Sequence, residues 1–157
     1  MQNEIYGITY LRGLAVLIVL LYHLKVFDGI YFLQGGFLGV DIFFVISGYI
    51  LSTTLLEIKI NFNSIKNFYN KRIRRIIPMY LIVIFSTLLI SNEIFTNFNY
   101  FRLIETANSS LFGILNYYFI HNRIQYGQDS SIFYPLLHLW SLSIEIQFYL
   151  LLPFIVF

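Results

Sequence analysis

The chain has 157 residues, of which 58% are hydrophobic, 20% aromatic and only 11% charged, with a formal net charge of +2. A mean hydropathy of +0.72 excludes an ordinary soluble domain and marks a multi-span membrane protein. The small, localised charge excludes a nucleic-acid partner; the lack of cysteine excludes disulfides and thiolate chemistry, and three scattered histidines do not make a zinc site.

The first apolar segment runs from Ile8 to Phe27, near the roughly 20 residues that a helix needs to cross the hydrocarbon. It lacks the basic flank, short apolar core and small-residue cleavage site of a signal peptide, so it reads as a retained helix. Arg12 and His23 lie eleven residues apart in it, which on a helix means about 16.5 Å of rise and about 20° of rotation. They share a face. Two readings stand: His23 is a neutral general base with Arg12 nearer the interface, or Arg12 snorkels and His23 hydrogen-bonds a neighbouring helix.

A second span, Phe37 to Leu56, places Asp41, Gly48 and Ser52 on one face, while Gly35, Gly36, Gly39 and Ser47 permit close helix approach. Asp41 is read first as a structural partner for a cation, with hydration at the interface as the other option.

The third span, Ile73 to Ile90, follows a connection in which Lys59, Lys66, Lys71, Arg72, Arg74 and Arg75 outnumber the single acid Glu57. Positive residues in a short loop mark the cytoplasm, and the near-neutral flanks (Lys25 and Asp28; Glu93, Arg102 and Glu105) fit the other side, so the N-terminus is expected to be cytoplasmic. Topology alone explains the basic cluster. Its density, with Pro78 read as a first-turn residue, also suits a phosphate cradle.

Leu111 to Ile120 is apolar but only about half the length of a span, so it reads as either a tilted span or a re-entrant piece. Leu136 to Phe157 is the last apolar segment, and it carries His138, Glu145 and Gln147 where hydrocarbon penalises them. An ionisable group inside the membrane costs on the order of 3 kcal/mol on insertion scales, which implies a partner or a task. On a helix, His138, Ser141, Glu145 and Tyr149 form one polar stripe within roughly 60°. No linker, repeat or low-complexity run divides the chain. The expected fold is all-α, a polytopic transmembrane helix bundle of four or five spans in one domain.

The segments LRGLAVLIVLLYH, GGFLGVDIFFVISGY, RIRRIIPMY and LLHLWSLSIEIQFYLLLP, in this order, resemble the N-terminal half of the acyltransferase type 3 family of membrane proteins, over nearly the whole chain. The resemblance implies an enzyme of the bacterial cytoplasmic (inner) membrane that moves an acyl group, acetyl in the first instance, from acetyl-CoA or another acyl-CoA to a hydroxyl of an envelope carbohydrate or glycolipid. It requires no metal. By position, Arg12 and His23 match the family's Arg and His of the first helix, Arg72 and Arg75 its Arg-x-x-Arg element, and Glu145 the acid of its Trp-Ser-Leu-x-x-Glu motif. Ile146 departs from the pattern, since a second acid often follows Glu145.

These matches imply His23, Glu145 and Arg12 as catalytic groups. Arg72 and Arg75, with Arg74 beside them, would be the cofactor-phosphate cradle. His23 would take the acceptor proton or carry the acyl group, and Glu145 would orient or balance the imidazole. A proton-coupled transporter or flippase is the rival reading, because intramembrane His, Glu and Arg also serve translocation. The family's membrane domain is longer than this chain, so residues 1–157 are expected to be its N-terminal part; an inactive truncated remnant is the third reading.

Overall fold

A computed structural model of the chain describes residues 2–24, 35–57, 61–124 and 133–156, and they are helical with no strand among them. In chain order the helices are α1 (Gln2–His23), α2 (Leu38–Glu57), α3 (Phe62–Ile94), α4 (Asn97–Leu111), α5 (Leu115–His121) and α6 (Trp140–Val156), the last preceded by a 3-10 turn at Leu137–Leu139. The chain divides into two units, Met1–Ile58 and Lys59–Phe157. This is the all-α membrane class that the sequence predicts. Among the described residues three helical stretches are long and apolar enough to cross a membrane, Gly35–Leu56, Phe62–Ile94 and Leu137–Ile155, and Tyr10–His23 is a shorter apolar one. The expected end of the first span at Phe27, and the connection with Lys25 and Asp28, lie outside the described residues, as does Lys59.

In the first unit α1 packs antiparallel on α2, because backbone meets backbone where glycine removes the side chain. A Cβ on Gly39 would stand 2.7 Å from both the Ala15 carbonyl oxygen and Val19 Cγ2, and one on Gly36 would collide with Tyr22 Cβ and crowd the Ile18 carbonyl at 3.2 Å. Close approach of this kind drives helix association in lipid, where there is no hydrophobic force between apolar helices. Gly35 and Gly48 take no part, since a Cβ on Gly35 would be in ordinary contact and one on Gly48 would meet open space.

In the second unit α3 is longer than its apolar run. Its N-terminus is Asn61, whose side chain accepts from the Ser64 N–H at 2.8 Å, so the polar stretch before Ile73 is helix and the basic cluster stands on a helix, not in a loop. Thirty-three residues span about 50 Å, well beyond a hydrocarbon core of about 30 Å. Pro78 therefore lies inside α3 and not in its first turn, which neighbouring helices make tolerable in a membrane.

After Phe95, whose N–H caps Ser91, the amphipathic α4 returns along α3 with Leu103, Thr106, Ala107 and Ser110 buried at helical spacing. The Tyr80 hydroxyl donates to the Ser110 carbonyl at 2.9 Å and fixes α4 on α3. Around this contact Tyr80, Ile84, Leu103, Ala107, Leu115, Phe119, Tyr134, Leu136 and Leu139 make the core.

The weak apolar segment from Leu111 to Ile120 is not a span. Helix α4 ends there in a Schellman turn, with Gly113 at φ +66, its N–H donating to Ser110 and the Ile114 N–H donating to Ser109. The seven residues of α5 that follow rise only about 10 Å.

Candidate functional site

On α1, Arg12 is half-buried, with its guanidinium 4.7 Å above the Phe43 ring of α2. A cation over an aromatic face gains about 0.5 to 2 kcal/mol depending on desolvation, so Arg12 is anchored by α2 and does more than snorkel. His23 is exposed in the last turn of α1, edge-on to Tyr22, and its Nδ1 lies 2.7 Å from the Val19 carbonyl one turn back. A carbonyl oxygen only accepts, so Nδ1 carries the proton in the neutral ring and Nε2 holds the lone pair. That is the tautomer a general base needs.

Asp41 is exposed in the first turn of α2, a position that needs no side-chain cation because the N-terminal end of a helix dipole favours a carboxylate.

In the second unit α3 and α6 run antiparallel. The Tyr69 hydroxyl donates to the Leu150 carbonyl at 3.2 Å, and Arg72 stands over the Tyr149 ring at 5.6 Å. Glu145, one turn before Tyr149, is consequently about one turn from Arg72 in height, beside the cationic end of α3. It is 5% exposed and accepts a hydrogen bond from the Tyr149 hydroxyl. Arg72 lies 5.4 Å from the Phe68 ring as well, so its guanidinium has two aromatic partners, and its buried Nε lacks a hydrogen-bond partner. Arg72 is half-buried and seated against α6, whereas Arg74, about 200° round the helix from it, and Arg75 are exposed. A groove of about 90 Å³ runs beside Arg72 and Tyr149, walled by Ile73, Ile76, Ile77 and Ile146.

The polar stripe predicted on the last span is partly rearranged. His138 falls in the 3-10 turn, exposed, so its direction does not follow the α-helical spacing of Ser141, Glu145 and Tyr149. Gln147 faces elsewhere: its amide donates to the Gly113 carbonyl at 2.6 Å and to Asn116 Oδ1 at 2.8 Å. It is a structural clasp. Nearby, the part-buried Tyr118 hydroxyl donates to Glu105 at 3.0 Å, and burial followed by that carboxylate pushes the phenol above its ordinary range. Among the described residues no group of three or more His, Asp or Glu could hold a metal ion.

Sequence spacing missed the aromatic settings of Arg72 and Arg12. The Tyr149 to Glu145 bond was available from the one-turn separation of the two residues.

The described residues are those of a helical membrane protein, with Glu145 buried on α6 and Arg72 of α3 seated on the Tyr149 ring one turn away. The chain belongs to the acyltransferase domain family, which matches residues 5–157. Among curated relatives it is 40% identical over 152 residues to YrhL of Bacillus subtilis, named as a candidate peptidoglycan O-acetyltransferase, covering 94% of this chain and 23% of that protein. It is 37% identical over 156 residues to the O-acetyltransferase OatA of Staphylococcus aureus, covering 96% of this chain and 24% of the relative. The chain spans about a quarter of the length of these relatives. No solved structure matches it. It is a multi-pass membrane protein of this family.

Proposed function

We propose that the protein is a membrane O-acyltransferase of the bacterial cytoplasmic membrane, with its N-terminus in the cytoplasm, which takes an acetyl group from acetyl-CoA and transfers it to a hydroxyl of an envelope glycan. The observation that carries this reading is the buried Glu145 carboxylate, held by Tyr149, on whose ring Arg72 is seated, in a chain of the acyltransferase domain family. Peptidoglycan or a related cell-wall glycan is the acceptor class favoured by the names of the relatives.

Arg72 and Arg75 bind the donor's phosphates, for which guanidinium forks are well shaped. The isoleucine-walled groove beside Arg72 suits an uncharged pantetheine arm. His23 accepts the proton of the acceptor hydroxyl at Nε2 as the oxygen attacks the thioester carbonyl; the C–S bond then breaks, and the leaving thiolate takes the proton back from the imidazolium to depart as the thiol. Arg12, on the same helix as His23, stabilises the developing oxyanion.

The test is radiolabelled acetyl-CoA given to membranes that contain the protein, followed by purification of the glycan. Covalent, base-labile label on the glycan supports the reading. Movement of unmodified glycan without label would replace it with transport.

A further inference from the structure

We infer that Tyr149 is a positioning residue that ties the donor-binding Arg72 to the buried carboxylate, an inference that rests on the acyltransferase reading above. Two observations meet at this one side chain. Its hydroxyl donates to Glu145 on the same helix, and its ring is the platform for Arg72 on the neighbouring helix. Tyr149 itself is buried at 7% exposure, so neither contact is shared with bulk water.

The chemistry of the arrangement requires a tyrosine and no other residue. A direct ion pair between Arg72 and Glu145 would consume the charge of both groups, which are then less able to act on a phosphate and on a developing cation. A phenol between them separates the two tasks. The ring face attracts the guanidinium through its quadrupole while leaving the N–H groups for an anion, and the hydroxyl satisfies one carboxylate oxygen while leaving its charge intact. The buried Arg72 Nε without a partner fits this picture, because the guanidinium is held by ring faces and not by a carboxylate. Phenylalanine would keep the platform and lose the hydroxyl; leucine would lose both.

The experiment compares full-chain Tyr149→Phe and Tyr149→Leu with the wild type in membranes, in two assays. One is acetyl transfer from radiolabelled acetyl-CoA, separated into kcat and KM. The other is labelling of Glu145 by the lipid-soluble reagent dicyclohexylcarbodiimide, read by peptide mass spectrometry, which needs no turnover. We expect Tyr149→Phe to lower kcat by about 10 to 100-fold, the range for a reacting group displaced by about an ångström, with KM for acetyl-CoA within about twofold of wild type. Glu145, released from its donor, should label several-fold faster. Tyr149→Leu should show the same losses and raise KM as well. A merely structural role would reduce the amount of inserted protein without this division between kcat and KM. Wild-type labelling of Glu145 in Tyr149→Phe would overturn the inference, as would a change confined to KM. If wild-type membranes transfer no acetyl group, the proposed function fails while the labelling comparison still decides the role of Tyr149.

Discussion

Gln147 donates its side-chain amide to the Gly113 carbonyl at 2.6 Å, joining α6 to the turn where α4 gives way to α5. Its second bond, to Asn116 Oδ1, makes the clasp bidentate, one arm on the turn and one on α5. Gln147→Leu should therefore leave two polar groups unpaired and lower the stability of the detergent-solubilised protein by about 1 to 2 kcal/mol. Gly113→Ala should cost a similar amount by a different route, since φ +66 disfavours a Cβ although Ile146 leaves room for one. Thermal unfolding of the two variants is the check, and Gln147→Leu alone should also loosen α5 in hydrogen exchange.

Gly39 and Gly48 lie on the same helix and should respond with opposite signs. A Cβ at Gly39 meets backbone oxygen of α1 at 2.7 Å and cannot be relieved by a rotamer change, so Gly39→Ala should destabilise by about 1 to 3 kcal/mol. Gly48 has open space around it, so Gly48→Ala should be neutral or stabilise by up to about 1 kcal/mol through reduced chain freedom in the unfolded state. Cross-linking yield between cysteines introduced on α1 and α2 should fall in the first variant and hold in the second.

Arg72→Lys tests whether the guanidinium's planarity is used. Lysine keeps the charge but cannot stack flat on the rings of Phe68 and Tyr149, and it has no counterpart of the buried Nε. The loss of about 1 kcal/mol predicts a rise of about fivefold in KM for acetyl-CoA. The same change at Arg74, on the other side of α3, should have the smaller effect.

Much of this was legible in the sequence. Helix periodicity placed Arg12 and His23 on one face and Tyr149 one turn from Glu145, and Gly35, Gly36, Gly39 and Ser47 signalled close helix approach without showing that Gly36 and Gly39 make it or that α1 is the partner. Hydropathy failed where a helix is not apolar. It cut α3 at Ile73, because Asn63 to Lys71 continue the helix without an apolar signal, and it passed over α4, whose buried face includes Thr106 and Ser110. Those hydroxyls are satisfied by carbonyls of their own helix, a condition that no hydropathy window can register. The setting of Arg72 between Phe68 and Tyr149 depends on the pairing of α3 with α6, which spacing within one segment cannot give. The same pairing moved Glu145 from an isolated mid-membrane acid to a neighbour of the basic cluster.

The central claim is that His23 takes the proton of the acceptor hydroxyl, and His23→Ala tests it most directly. The ring is exposed, so the variant should insert in normal amount. With radiolabelled acetyl-CoA and envelope glycan supplied to equal quantities of membrane-inserted protein, the variant should lose at least about 100-fold in acetyl transfer, as removal of a general base requires. Wild-type transfer by His23→Ala membranes would contradict the account.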